Sequence, residues 1–319
     1  MPCVQYHTIT TDQAGQRIDN FLLAFFHYQL PKSLIYRWLR KGQLRVNKKR
    51  CKQPTYRIQT GDIIRIPPVE TNAEKPPLSL PEDHANFLEQ QILWETPDYL
   101  IINKPSGIAV HGGTGTQAGL IERLAQIRPH AKRLDLAHRL DKLTSGCLLI
   151  TKKYQALNAF HALWRDRCVT KTYHALVHGN WPSTIKSIDL PLQRQLRANG
   201  ERFVQVDQNG KSALTRLECL QHFNGYSLLA LWPETGRTHQ LRVHLANYHH
   251  PIVGDPKYGH PVKDQRIEKQ LSYCQLALHA YQLSFTDPLN GQQVCVSAPY
   301  ESTFQNVINR LTEIAQPAK

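Results

Sequence analysis

Arg139 and Asp141 stand one residue apart in the stretch Ala137 to Lys152, AHRLDKLTSGCLLITK. A turn-forming Thr144-Ser145-Gly146 follows. An apolar run, Cys147 to Ile150, then reads as a buried strand. A carboxylate is thus held on a tight loop just ahead of a core strand. Such a loop places a reactive side chain rigidly in a cleft. The bland alternative is a surface turn closed by an Arg–Asp salt bridge.

Two further stretches carry reactive groups. VTKTYHALVHG, Val169 to Gly179, alternates as a strand, with Tyr173, Ala175 and Val177 on one face. PETGRTHQLRVHL, Pro233 to Leu245, has a turn at Thr235-Gly236 and a plausible helix N-cap at Thr238. The expected helix runs from His239 to Asn247, with Arg237, His239, Gln240 and Arg242 at its start. His239 and His244 are five apart, which is not the spacing of a helical metal pair, and there is no HExxH. No metal site is expected. No GxGxxG follows a strand and no Walker motif occurs, so no nucleotide cofactor is expected either. A hydrolase using Asp141 with a histidine lacks a nucleophile–base–orienter spacing.

The elements that must hold these groups divide the chain. In the first 67 residues, Ile18, Phe21, Leu22 and Phe25 recur at helical spacing. A second helix runs from Pro31 to Gly42, burying Leu34, Ile35, Trp38 and Leu39. Its outer surface and the loop after it carry Lys32, Arg37, Arg40, Lys41, Lys48, Lys49, Arg50 and Lys52. Strands are expected at 44–46, 56–58 and 63–66, with a turn at Asn47-Lys48. Residues 68–86, rich in proline and without apolar period, read as a linker that lets the first module move.

Residues 87–319 read as a second, strand-rich domain. Strands are expected at 92–94, 99–102, 185–190, 203–206, 213–221 and 226–232, broken by Asn-Gly turns, with closing strands at 278–285 and 294–298. Helices are expected at 120–127, 154–167 and 303–311. His161 and Trp164 fall on the packing face of the middle one. NKPSG, Asn103 to Gly107, and HGG, His111 to Gly113, are either ligand-approaching or ordinary turns. The fold class is α+β: a small module followed by a large mixed, mainly antiparallel sheet with flanking helices.

Across 319 residues the net charge is +14, which points to a polyanionic partner. The seven cysteines are widely spaced and lack any C-x-x-C, as expected of reduced thiols. No stretch approaches the apolar length of a membrane span, and no secretory leader is visible. A monomeric cytoplasmic protein without membrane partners is expected.

His138 to Gly146 match HRLDxxTSG, the signature loop of the RluA-type pseudouridine synthases, at every fixed position. KxYxAxVxG, GRTHQLRVH, NKPSG, HGG and IVGDPKYG resemble the same family. QRIDNFL, SLIYRWLRKGQLRVN and GDIIRI resemble an S4 RNA-binding domain. The order of modules resembles the bacterial enzymes that modify large-subunit (23S) ribosomal RNA. RANGERF and GKSALT look most like the RluC branch, with the RluD branch the nearest rival.

The resemblance implies isomerisation of uridines to pseudouridine in 23S rRNA, in precursor or partly assembled large subunits, without a cofactor. It makes Asp141 the nucleophile and Arg242 the cation that orients it and favours its charged form. Tyr173 packs on the uracil. Arg139 fills the space left by a flipped base. His138, Thr144, Arg237, His239 and Gln240 are expected against the substrate. The cations of the first module are expected on the RNA backbone. A non-catalytic RNA-binding or assembly factor is the reading from another class.

Overall fold

Alternation and helical period sort the chain into two modules in the computed structural model, which describes residues 3–26, 30–69, 82–112, 119–128, 130–131, 133–196 and 201–315. In the first, β1 (Gln5–Thr8), α1 (Ile18–Phe25), α2 (Lys32–Arg40), β2 (Arg45–Val46), β3 (Lys49–Arg50) and β4 (Ile63–Ile66) follow in order. The strands pair as β1-β4-β2-β3. Ile18, Leu22, Ile35, Trp38, Leu39, Ile64 and Ile66 close a core between helices and sheet. Asn47 and Lys48 take positive φ of 50° and 67°, a hairpin turn whose twist matches the strands.

Two details depart from expectation here. Residues 56–58 form no strand, only a single bridge from Arg57 to Arg17. The partner chain turns into α1 one residue later, so no ladder can extend. β1 carries no alternation of buried positions, and its sequence gives no strand signal.

α3 (Glu82–Gln90) starts inside the stretch read as linker and leads into the second module. Leu88 is its buried anchor, against Leu100, Leu124 and Leu134. Residues 70–81, most of that stretch, lie outside the described residues, as do Gly113 and 197–200. There follow β5 (Ile92–Glu95), β6 (Tyr99–Lys104), α4 (Leu120–Ile127), β7 (Asp135–Leu136), β8 (Ser145–Thr151), α5 (Tyr154–Arg165) and β9 (Val169–His178). Next come β10 (Ser187–Asp189), β11 (Leu192–Leu196), β12 (Arg202–Val206), β13 (Leu214–Phe223), β14 (Tyr226–Pro233) and α6 (Gln240–Asn247). The chain closes with α7 (Pro261–Leu271), β15 (Leu278–Thr286), β16 (Gln293–Ser297) and α8 (Ser302–Ala315).

Ten strands form one sheet in the order β10-β13-β14-β9-β15-β8-β6-β5, with β16 added to β15 and β7 to β8. Among the described residues, only β8 and β15 pair in parallel. β6 and β8 are buried on both faces: Ile101 and Leu149 meet Phe160 of α5, while Leu100, Ile102, Leu148 and Ile150 meet α3 and α4. Leu148 and Ile150 are therefore core. β11 and β12 make a separate hairpin, and α7 was not legible as a helix. No described helix is long and apolar enough to cross a membrane.

The modules touch. Arg133, paired with Asp135, donates to Gln16 Oε1 at 2.8 Å and lies over the Tyr154 ring.

Candidate active site

The loop from Arg139 to Thr144 enters β8, and Gly146 explains why it must turn where it does. Its φ is +105°, and a Cβ there would meet the Ala280 carbonyl oxygen at 2.3 Å. β8 and β15 approach at this point through the pairs Ser145–His279 and Ala280–Gly146. Ser145 Oγ and His279 Nδ1 share a buried hydrogen bond of 2.8 Å, with His279 Nε2 on the Ala298 carbonyl.

The NKPSG turn braces the same loop from behind. Lys104 is fully buried, and its ammonium donates to the carbonyls of Pro105 (2.8 Å), Ile108 (2.9 Å) and Lys142 (3.1 Å). Ser106 Oγ donates to the Leu143 carbonyl at 2.7 Å. Burial lowers the lysine pKa to about 8, against the opposing fields of Glu301 and Asp141. Lys104→Met would strand three carbonyls and is expected to cost about 2–3 kcal/mol in urea unfolding at pH 7. The folded-state pKa lies below the unfolded value of 10.5, so the unfolded chain binds more protons between them. The wild type should therefore gain stability over Lys104→Met as pH rises from about 8. An equal urea midpoint for the two proteins at pH 7 would refute the brace.

A cavity of about 530 Å³ opens beside this loop. It is lined by Asp141, Tyr173 and Arg242, and also by His138, Arg139, Thr144, Arg237, His239 and Gln240. Every residue of the second module singled out from sequence thus borders one space. Asp141 is 24% exposed, and its Oδ2 faces Arg242 Nη1 at 3.3 Å and His239 Nε2 at 3.8 Å. Tyr173, at the centre of the sheet on β9, presents its ring to the same space. Burial, and then the Asp141 charge, raise its phenol above the usual tyrosine range, so it is neutral at physiological pH.

Arg242 is clamped by a residue that sequence reasoning passed over as part of a turn-rich segment. Asp255 accepts from Arg242 Nε at 2.8 Å and Nη2 at 2.7 Å, a bidentate pair 6% and 1% exposed. Asp255 also accepts from the backbone N–H of Lys257 and Tyr258. Burial opposes both charges, but the pairing wins, lowering the Asp255 pKa and raising that of Arg242. The loop that carries Asp255 is pinned in turn. Gly254 has φ +69° with its α-carbon close to the Gln275 carbonyl, and its N–H donates to Asp264, which also holds His178. The signal was in the sequence: a Gly-Asp pair in a turn-rich run, beside a helix whose arginine needs more than one acceptor.

The start of α6 differs from expectation. Thr238 does not cap it; its hydroxyl accepts from Arg194. His239 precedes the helix with φ +53°, and its Nδ1 shares a hydrogen bond of 2.8 Å with the Tyr258 hydroxyl. Gln240 is saturated by Thr235 Oγ1, the Arg237 N–H, the Leu214 carbonyl and Thr215 Oγ1. It locks the turn, with no bond left for a substrate among those its amide makes best. His138 likewise accepts the Leu149 N–H on Nε2, and burial, aided by Lys171, drives its pKa down to about 3. It stacks on Trp164 at 4.9 Å.

Trp164 packs against the core beside Phe160, as expected, and also borders the cavity, whereas His161 is exposed rather than packed. α5 ends at Arg165, two residues earlier than expected. Arg165, Arg167, Lys171, Arg194 and Glu234 also border the space and were not singled out as site residues. In the first module Lys32, Arg37, Arg40, Lys41, Lys48, Lys49 and Arg50 are all exposed, while the apolar faces of α1 and α2 turn inward.

Comparison with known proteins matches this architecture. A family model described as RNA pseudouridylate synthase matches residues 98–247, and one described as S4 domain matches residues 16–64. The ribosomal large subunit pseudouridine synthase C of Pasteurella multocida is 45% identical over 97% of this chain and 94% of its own. That of Escherichia coli K12 is 43% identical over 97% of each chain. A solved structure, human RNA pseudouridylate synthase domain containing 4, superposes with a TM-score of 0.60. It is 27% identical and covers 72% of this chain and 96% of its own.

Proposed function

The chain belongs to the RNA pseudouridylate synthase family, and from that premise we propose that it converts uridines of large-subunit ribosomal RNA to pseudouridine, with Asp141 as nucleophile. The observation that carries the reading is the meeting of a carboxylate, a phenol ring and a clamped guanidinium in one cavity. The names of the relatives at 43–46% identity support the ribosomal target.

The reaction breaks the N1–C1′ bond of a uridine and forms a C5–C1′ bond, with a proton leaving C5 and one taken up at N1. A base in a helix is out of reach, so the nucleotide must be flipped into the cavity. Arg139, exposed at the rim, fills the vacated stack. The Asp141 carboxylate adds to C1′ of the ribose or C6 of the uracil and is released when the new bond forms. Arg242 holds that carboxylate in one orientation throughout. Tyr173 stacks its ring on the uracil, and its neutral hydroxyl passes the C5 proton. His239 and Arg237 close the far wall, while His138, Thr144 and Gln240 act by holding the walls in shape.

The exposed cations of the first module track the RNA backbone, supplying salt-dependent affinity. We place the domain limits at residues 1–67 and 87–319, the second including the end of α3, and the location in the cytoplasm.

The direct test is pseudouridine mapping of ribosomal RNA from cells with and without the gene. Identical maps would sink the proposal, and would favour a non-catalytic RNA-binding factor. Tyr173→Phe keeps the ring and removes the hydroxyl. It is expected to slow single-turnover conversion by about 10²-fold with RNA affinity nearly unchanged, the scale of one proton-transfer group. A rate within twofold of wild type would remove the hydroxyl from the mechanism.

A further inference from the structure

β9 lends the cavity three side chains from one of its faces: Val169, Lys171 and Tyr173. Lys171 sits two residues from Tyr173, so their α-carbons are about 6.8 Å apart along the strand. Its side chain is half-buried, yet it makes no hydrogen bond or ion pair among the described residues. The carboxylate whose field reaches it, Glu234, is already engaged by Arg216 at 3.0 Å. Arg139, Arg167, His138 and Trp164 border the same cavity, and the Lys171 charge reaches the His138 ring.

An ammonium held partly out of water with no anion in contact is costly; burial lowers its pKa, and the field of Glu234 opposes this only in part. The fold retains it on the floor of a space open to solvent, beside the tyrosine that meets the base. A counter-charge supplied from outside would settle it, and RNA offers one such group, the backbone phosphate. We propose that Lys171 binds the phosphate adjoining the uridine held at Asp141, fixing the flipped nucleotide by its backbone while Tyr173 fixes its base. This assignment rests on the synthase reading of the same cavity. It differs from contacts of the first module, which lie on exposed surface and need no flipped nucleotide.

The test uses the full chain and an unmodified uridine-containing RNA hairpin that the wild type converts. Binding is measured for wild type, Lys171→Met and Lys171→Arg between 50 and 200 mM salt. Loss of one phosphate contact makes the plot of log affinity against log salt shallower by about 0.7–0.9. Lys171→Met should show that change and bind about tenfold more weakly at 50 mM salt, whereas Lys171→Arg keeps the wild-type slope. Conversion by Lys171→Met at RNA concentrations well below its Kd should fall by about the same tenfold as affinity. An unchanged slope in Lys171→Met overturns the assignment. With that unchanged slope, slowed conversion would mark a contact to the uracil, and altered urea stability a mere balance to Glu234. Wild-type protein that makes no pseudouridine in any ribosomal RNA would overturn the reading of the cavity itself, and this assignment with it.

Discussion

Asp141→Asn is expected to reduce conversion of uridine to pseudouridine by about 10⁴-fold or more, the scale seen when a covalent nucleophile is removed from an enzyme whose other groups remain. The asparagine matches the carboxylate in shape and keeps an oxygen for Arg242 Nη1, at 3.3 Å in the wild type. Arg242 keeps both of its bonds to Asp255. The loop keeps the Thr144 N–H to Asp141 carbonyl bond and the Lys104 brace, none of which uses the Asp141 side chain. Folding should be unchanged within about 0.5 kcal/mol, as for a partly exposed side chain with no buried network of its own. RNA affinity should hold or rise, because one negative charge leaves a cavity bordered by Arg139, Arg165, Arg167, Lys171, Arg194, Arg237 and Arg242. Single-turnover conversion, urea unfolding and RNA binding on one preparation separate these effects. A variant that folds, binds and still converts within tenfold of the wild-type rate would remove Asp141 from the chemistry.

The parts of the site that could be read in advance were those with a local signature. The Asp141 loop announces itself because a charged pair, a Thr-Ser-Gly turn and a four-residue apolar run stand in one short stretch. Strand alternation and a helix start put Tyr173 and Arg242 on their elements, but only the resemblance to the family's KxYxAxVxG and GRTHQLRVH runs singled them out. Long-range requirements left weaker traces. Asp255 is thirteen residues from Arg242, in a segment whose turns say nothing about which carboxylate faces inward. Trp164 lies on the helical packing period of α5 and does pack against Phe160, but it also borders the cavity. Periodicity cannot distinguish the two surroundings. The Thr238 cap failed because His239 takes a left-handed conformation that commits its ring to Tyr258. That tertiary hydrogen bond outweighs a capping preference of about 1 kcal/mol. β1 and α7 were missed for a simpler reason: the first is short, polar and exposed, the second largely charged, and neither carries an apolar period.

Replacing Asp255 is expected to have the second largest effect, split between stability and rate. In Asp255→Ala, Arg242 would be left 6% exposed with one weak contact to Asp141, and two backbone N–H groups would lose their acceptor. Breaking a buried pair from one side costs about 3–5 kcal/mol, because the other charge remains buried. Asp255→Asn is the more informative change: it keeps an acceptor for the backbone and for one guanidinium nitrogen but removes the charge. The guanidinium then has a single carboxylate to neutralise it, and it should turn toward Asp141 and cover the nucleophile. Conversion should fall by about 10²–10³-fold, the cost of misplacing a reacting group by roughly 1 Å, with RNA affinity within threefold. Asp255→Glu, which can still pair, should recover part of the rate. The acid limb of stability gives a second readout. Pairing with Arg242 holds the Asp255 pKa below its ordinary value of 3.8, so its contribution is complete above that pH. It is lost as the carboxylate protonates in more acidic solution. The stability gap between wild type and Asp255→Asn should therefore close as pH falls below about 4. If Asp255→Asn converted RNA at the wild-type rate, the orientation of Arg242 would not matter to the reaction, and Asp255 would be a structural residue alone.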